Sequence, residues 1–207
     1  MSQPSNPGTA APESATAVPL FPLHTVLFPG GPLPLRIFEA RYLDMVRRCM
    51  REQVPFGVVL IRAGTEAGAV AETSDVGTTA RIVDFNPMPD GLLGIACVGG
   101  QRFRILRRWQ QPDGLNLADL QMLPAEPRVP VPEEFQHLRT LLAKVLPEFG
   151  DLYATLPQPF DDAAWVGHRL AEVLPVSLSE KQHCLEIDDP LVRLARLDPL
   201  IRRSRQP

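Results

Sequence analysis

The stretch Leu33-Pro-Leu-Arg-Ile-Phe-Glu-Ala-Arg-Tyr42 marks the point at which the chain changes from one kind of local structure to another. Before it, short apolar segments are broken by proline and glycine. Because proline cannot donate to a sheet ladder, such segments suit strand ends, edge strands and bends. After it, apolar residues recur at helical spacing as far as Glu52, with no proline between them. The stretch therefore predicts one helix, over residues 36–52, embedded among strands.

Apolar runs on both sides of this helix predict six or seven short strands. The longer ones are Val18–Leu23, Val26–Phe28, Phe56–Arg62, Thr78–Phe85, Leu92–Val98, Gln101–Trp109 and Leu115–Leu123. The pair Asp90-Gly91 is a turn signal and joins two of these strands in a hairpin. So many short strands with a single early helix predict a curled sheet or small barrel over residues 18–123.

The remaining segments differ from this region in composition. Residues 1–17 contain almost no large apolar side chain and predict a disordered tail. Residues 124–132 hold four of the 23 prolines and predict a stiff, extended connector. From residue 133 to 207 the apolar spacing is helical, and Pro199 is expected to interrupt the last helix. The fold class predicted is α+β, a β-rich domain followed by a small helical bundle.

The reactive side chains predict a protein without catalytic chemistry. Neither of the two lysines follows a glycine, which excludes a Walker A loop, and no serine lies in a nucleophile elbow. The four histidines and three cysteines lack metal-ligand spacing, so we expect no metal, no cofactor and free thiols. A hydrolase of unrecognised type is the weakest alternative, since it would need a cleft with convergent polar groups.

Charge and hydropathy limit the classes of partner that we expect. The formal net charge of −3 gives no overall field that would attract nucleic acid or an acidic membrane. The first twenty residues show no secretion signal, and no apolar run approaches the roughly 18 residues that span a bilayer. We therefore expect a cytoplasmic protein that does not enter membranes. The sequence predicts no oligomeric state.

Several motifs, in the same order, resemble the substrate-binding N-terminal domain of Lon proteases. They are Val18–Gly30, Leu33–Tyr42, Gly77–Ile82, Asp90-Gly91, Gly100–Ile105, Leu174–Gln182 and Leu185–Leu194. The resemblance implies a PUA-like pseudo-barrel with a helical bundle after it. It also implies a non-catalytic module that recognises unfolded or extended polypeptide, in the company of a protease or chaperone system, without the ATPase and Ser-Lys protease modules that follow in Lon. Pro199 departs from the family, where the last helix continues toward the ATPase.

Two sets of residues are candidates for binding. Bulky apolar groups at turns predict a peptide-binding patch, for which the alternative is packing of loops over the barrel ends. Its members are Phe28, Pro29, Met88, Pro89 and Leu92. Four arginines beside Trp109 predict, as the alternative function, a strand that binds RNA, unless they form only a solvated outer face. They are Arg102, Arg104, Arg107 and Arg108. Residues of the Leu33–Tyr42 motif are expected to be mainly structural.

Overall fold

The β-rich part of the chain is a sheet that closes into a ring. The computed structural model describes residues 14–64, 72–88 and 92–204, apart from the side chains of the last two. Its strands are β1 (Ser14–Leu23), β2 (Pro32–Ile37), β3 (Phe56–Ala63), β4 (Glu72–Thr73), β5 (Val76–Pro87), β6 (Leu93–Gln110) and β7 (Asn116–Met122). Neighbours follow the order β1-β7-β6-β5-β3, and β1 also pairs with β3 in parallel, which closes the ring. The predicted α+β pseudo-barrel is confirmed.

A small apolar cluster fills the interior of the closed sheet, and two glycines leave space for it. The aromatic side chain of Phe103 is fully buried between β3 and β5. A Cβ on Gly77 would lie 2.3 Å from the Val58 carbonyl oxygen and 2.7 Å from the Phe103 ring, and one on Gly57 would lie 2.9 Å from the same ring. Glycine at these positions therefore lets neighbouring strands approach across an aromatic side chain.

The predicted helix is shorter at its start than its apolar spacing suggests. α1 spans Ala40–Glu52, whereas β2 continues to Ile37 because Arg36 and Ile37 pair with β6. Gln53, with a φ of 54°, ends the helix, and β3 begins at Phe56. The buried face of α1 belongs to an apolar cluster with side chains from six strands, β1, β2, β3, β5, β6 and β7, and Tyr42 of α1 is stacked on Phe21 of β1 at 4.0 Å between ring centroids.

Three predicted boundaries in the β-rich part are wrong. Ser14–Ala17 is not tail but the start of β1, because it pairs with β7; residues 1–13 lie outside the described part. The predicted strand Val26–Phe28 is a buried loop, which packs its side chains beneath the helices instead of joining a ladder. The two predicted strands on either side of Gly99-Gly100 are one long strand, β6, and Gly99 exchanges hydrogen bonds with Gly30 and Gly31.

The C-terminal third is helical, as predicted. After a 3₁₀ turn at Glu133–Phe135, it contains α2 (Gln136–Val145), a second 3₁₀ turn at Leu146–Phe149, α3 (Asp151–Ala154), α4 (Ala163–Val173), α5 (Leu178–Glu186) and α6 (Pro190–Ser204). Asp162 caps α4 and Ser177 caps α5 through their side-chain oxygens. The predicted interruption at Pro199 is wrong: α6 continues through it, because Leu197 and Ile201 on either side are held in the core.

The helices share one apolar core with an end of the β-ring. Val26, Phe28, Leu60 and Val76 of the β-rich part pack in the same cluster as the buried faces of the helices. The proline-rich segment 124–132 runs extended along the helical side, where Val131 is buried and the Ala163 amide donates to the Val129 carbonyl. This junction places side chains from both parts of the chain beside one another.

Candidate functional site

A buried group of charged side chains holds the junction between the β-ring and the helices. We call it the junction cluster; it consists of Arg102, Glu126, His168 and Arg193, from β6, the proline-rich segment, α4 and α6. Arg193 donates to both carboxylate oxygens of Glu126, at 2.7 and 2.6 Å, and Arg102 Nη2 lies 3.2 Å from Glu126 Oε1. Arg102 is only 3% exposed and Arg193 is fully buried.

The two guanidinium groups also donate hydrogen bonds to main-chain carbonyls at the C-terminal end of α5. Arg102 Nη1 donates to the carbonyls of Leu185 at 2.8 Å and Ile187 at 3.1 Å, while Arg193 Nε donates to the Cys184 carbonyl at 2.8 Å. The last carbonyls of a helix have no partner within the helix, and cations there complement its dipole. The arginines therefore fix α5 and α6 against β6.

Protonation in the cluster follows from burial and from neighbouring charge. Burial would raise the pKa of Glu126, but the nearby His168 imidazole and the hydrogen bonds and charge of Arg193 lower it to about 2. Burial lowers the pKa of His168 to about 4, despite the carboxylate 3.2 Å from its Nε2. At neutral pH the carboxylate is therefore ionised and the imidazole is neutral, and the two arginines compensate the charge of Glu126.

A cavity of about 440 Å³ opens beside this cluster, and we call it the junction pocket. Its lining is Pro29, Gly30, Gly100, Gln101, Arg102, Pro124, Ala125, Glu126, Asp162, Ala164, Trp165 and His168. Most of these residues present apolar atoms or glycine backbone; of the titratable residues, Arg102, Glu126 and His168 belong to the junction cluster, and Asp162 caps α4. A mainly apolar cavity with a few fixed polar groups is the usual form of a ligand site.

A second polar group positions the loop at the rim of this pocket. Arg169 Nη2 donates to the Pro29 carbonyl at 3.1 Å, and its Nε lies 3.0 Å from Glu172 Oε2, which also accepts from the Tyr153 hydroxyl at 2.8 Å. A Cβ on Gly31 would lie 2.2 Å from the other oxygen of Glu172. The rim therefore depends on a close approach between α4 and the loop after Phe28.

The predicted peptide-binding residues do not form one patch. Phe28 is fully buried against His168, with 5.6 Å between ring centroids, so it supports the pocket but cannot contact a ligand. Pro29 lines the junction pocket. Met88 and Leu92 are half-buried at the end of the β5–β6 hairpin, where the Met88 amide donates to the Leu92 carbonyl. The remaining candidate, Pro89, lies outside the described residues.

The predicted arginine strand is not a continuous cationic face. Arg102 is buried in the junction cluster, because the helices cover that face of β6. Arg108 is engaged by Thr73 and Asp75. Arg104 and Arg107 are exposed, and Arg107 lies over the ring of Trp109 at 5.3 Å. Phosphate contact by all four side chains would therefore require Arg102 to leave a buried ion pair.

Sequence reasoning missed most of the junction pocket. Glu126 lies in the segment predicted to be a connector, Trp165 lies in the region of helical apolar spacing, and His168 is one of the four histidines that lack metal-ligand spacing. A partial signal existed, since Trp165 and His168 lie three residues apart on one helix and so share a face. Nothing in the local sequence placed Glu126 opposite Arg102 and Arg193.

Other kinds of reactive site find no support in the described residues. In residues 14–64, 72–88 and 92–204, no group of three or more His, Cys, Asp or Glu side chains could hold a metal ion. Burial raises the pKa of Cys49 to about 11 and that of Cys97 to about 12, which disfavours a thiolate nucleophile. Of the helices described, none is long and apolar enough to span a membrane.

Sequence comparison finds relatives that are much longer than this chain. Lon protease 2 of Myxococcus xanthus is 27% identical over 196 residues, which are 91% of this chain and 24% of that protein. Protein cereblon of Gallus gallus is 30% identical over 116 residues, 54% of this chain and 25% of that protein. The chain therefore spans about a quarter of the length of these relatives.

Structural comparison and a family profile agree with this match. The Lon N-terminal domain protein from Xanthomonas campestris is 38% identical with a TM-score of 0.75, covering 88% of this chain and 97% of that one. The N-terminal domain of Mycobacterium avium complex Lon protease shares the fold, with a TM-score of 0.60, 17% identity and coverage of 89% and 96%. The profile of the ATP-dependent protease La (LON) substrate-binding domain matches residues 17–203. The chain belongs to the Lon substrate-binding domain family.

Proposed function

We propose that this chain binds unfolded or extended segments of protein substrates and carries out no chemistry on them. Family membership supports protein as the class of ligand. The observation that carries the proposal is the junction pocket, whose apolar lining suits a side chain of the kind that an unfolded polypeptide exposes.

The pocket has the properties of a preorganised site. Its volume of about 440 Å³ lies within the range of about 300–1,000 Å³ common for ligand cavities. Trp165 contributes an aromatic wall that is fixed by an edge-on contact with Phe160, 4.9 Å between ring centroids. The junction cluster holds the polar side of the pocket, so little side-chain order has to be created on binding.

Filling the pocket tests the proposal without removing any contact within the core. Ala125 is exposed and lines the pocket, so Ala125→Trp places an indole in it. Ala143→Trp, on the exposed face of α2, is the matched control. The probe is reduced, carboxymethylated α-lactalbumin, which stays unfolded, titrated by calorimetry.

We expect the wild-type chain and Ala143→Trp to bind the probe alike. Ala125→Trp should bind at least about tenfold more weakly, because burial of one apolar side chain contributes about 1.5–3 kcal/mol. Equal binding by both variants would remove the junction pocket from the proposal. If the folded wild-type chain does not bind the unfolded probe at all, the proposal that this chain binds polypeptide is refuted.

A further inference from the structure

One segment of the sheet has a neighbour on one side only. Arg81–Pro87 of β5 pairs with Leu93–Val98 of β6. On the other side β5 pairs with β3 only through Thr78–Ala80, and no strand in the described part of the chain lies beside Arg81–Pro87 there. The cause is the start of β3 at Phe56: before it the chain turns away at Gln53 into α1. No described strand takes the position that a longer β3 would occupy.

The main chain of this edge is available to a new strand. The Phe85 amide donates to the carboxylate of its own neighbour Asp84, at 2.8 Å, and no strand in the described part of the chain pairs with Arg81–Pro87 on the β3 side. Unpaired amides and carbonyls at a sheet edge are a template for an added strand, and proteins normally shield them. A bulge at Ile82–Asp84 and the proline at position 87 shield this edge only in part.

A groove lined by both apolar and polar side chains continues the unoccupied strand position. We call it the helix–strand groove; it has a volume of about 370 Å³ between the end of α1 and β5. Its lining is Cys49, Met50, Gln53, Val54, Arg81, Ile82, Val83, Asp84 and Phe85. Phe85 pairs with the buried Ile95 and so faces α1, yet it is 53% exposed, and Val83 and Val54 are 47% and 42% exposed.

The charges around the groove favour an acidic occupant. On the α1 side Arg48 and Arg51 share one carboxylate, that of Glu52, at 3.0 Å each. On the strand side Arg81 forms no ion pair with any residue that the structure describes, while Asp84 is engaged by the Phe85 amide. Three arginines and two carboxylates, Glu52 and Asp84, lie at or next to the groove, which leaves one positive charge in excess; of these groups, Arg81 and Asp84 line the groove itself.

We propose that Arg81–Pro87 takes up an extended, acidic segment of a protein substrate as an additional β-strand. The main chain of the segment pairs with the open edge of β5, its alternate side chains enter the helix–strand groove, and an acidic residue lies beside Arg81. Strand addition gives affinity through the main chain and selectivity through alternate side chains, so it suits ligands of varied sequence. This inference rests on the proposed function and specifies a second contact, separate from the junction pocket.

N-methylated peptides test the pairing on the wild-type protein. The probe is a fluorescein-labelled eight-residue peptide in which valine alternates with glutamate and threonine, followed by anisotropy. In a strand, only every second amide faces a given neighbour. Methylating one alternate set of amides should weaken binding by at least about tenfold, whereas methylating the other set should change it by less than about twofold.

Two matched variants test the groove. Phe85→Glu replaces an apolar ring of the groove by a carboxylate and should weaken binding of the unmethylated peptide at least about tenfold. Phe38→Glu, at a phenylalanine that is 63% exposed outside the groove, should leave binding unchanged. Thermal unfolding of both variants verifies that they fold.

The outcomes separate this inference from the proposed function. Equal weakening by both methylated sets, or unchanged binding by a folded Phe85→Glu, would overturn strand addition even if unfolded α-lactalbumin still binds. A sedimentation experiment that shows a dimer dissociated by Phe85→Glu, with no peptide binding, would assign the edge to a second copy of the chain and overturn it as well. Absence of binding to both probes would refute the proposed function too.

Discussion

Replacing Glu126 by glutamine removes the buried negative charge of the junction cluster while keeping the size of the side chain; Arg102 retains a contact with the exposed Asp188, 3.0 Å away. The carboxylate accepts from Arg193 at 2.7 and 2.6 Å and lies 3.2 Å from Arg102 and from His168. Both arginines are at least 97% buried, so water cannot replace the lost charge. Removing one partner of a buried ion pair costs about 3–5 kcal/mol.

The pKa of Glu126 gives a separate estimate of the same quantity. Its pKa lies at about 2 instead of 4.5, and at about 1.4 kcal/mol per pH unit this difference amounts to about 3 kcal/mol of folding free energy. We therefore expect Glu126→Gln to lower the free energy of unfolding at pH 7 by about 3 kcal/mol. With a denaturant dependence of about 2 kcal/mol per molar urea, the midpoint of unfolding falls by about 1.5 M.

Asp161→Asn is the matched control, because it makes the same change of carboxylate to amide in an exposed pair. Asp161 lies 3.5 Å from Arg128, and both side chains are largely exposed. Exposed pairs contribute about 0–1 kcal/mol, so the urea midpoint should change little.

The dependence on pH provides the strictest check. The pKa of Glu126 is lower in the folded chain than in the unfolded one, so its contribution is complete above pH 4.5 and is lost as the pH falls through about 2. The difference between wild type and Glu126→Gln must shrink over that range. Two results would refute a stabilising role for the ionised Glu126 in the junction cluster. In one, Glu126→Gln lowers the free energy of unfolding by less than about 1 kcal/mol at pH 7; in the other, it lowers it by the same amount at every pH down to about 2.

Two further predictions concern other buried positions. Burial lowers the pKa of His168 to about 4, so on acidification the unfolded state takes up a proton before the folded state does. The free energy of unfolding of the wild-type chain should therefore fall by about 3 kcal/mol between pH 7 and pH 4 from this group. His168→Gln should remove this part of the pH dependence, and urea denaturation that shows the same pH dependence in both proteins would contradict the prediction. Gly77→Ala should lower the free energy of unfolding by about 1–3 kcal/mol, because the added methyl group would clash with Phe103 and the Val58 carbonyl. An unchanged melting temperature would contradict this prediction and show that β3 and β5 can separate enough to accept the methyl group.

Local sequence patterns predict the β-ring, its single helix and the helical C-terminal part because each depends on near neighbours. The predicted strand Gln101–Trp109 carries the buried Phe103, and two helices of the predicted helical part begin at side-chain caps, Asp162 and Ser177. The same patterns fail where a segment that is distant in sequence determines whether a side chain is buried. Arg102 alternates with buried residues and so was assigned to solvent, but the end of α5 and Glu126 cover it.

The predicted strand at Val26–Phe28 failed for a similar reason. An apolar run predicts burial but not the partner that buries it, and here the partner is the helical core instead of a neighbouring strand. Gly99-Gly100 separates the predicted strands Leu92–Val98 and Gln101–Trp109, whereas both glycines lie within β6, where a Cβ on Gly99 would lie 2.1 Å from the Phe28 carbonyl oxygen. The close approach of this loop to β6 is a tertiary contact that the sequence around either segment does not contain.

The two proposed contacts place different demands on a substrate. The junction pocket is bounded by side chains that the ion pairs of Glu126 hold in place, so it would select for the shape of one apolar side chain. The edge at Arg81–Pro87 would bind main chain, which every polypeptide has, and would select only for alternation and for acidic charge. A ligand that satisfies both must be extended for several residues and must expose an apolar side chain. Folded proteins rarely present the two together, because their main-chain groups are paired and their large apolar side chains are buried. Discrimination between folded and unfolded protein would then follow from the pairing of the two contacts, without recognition of any particular sequence.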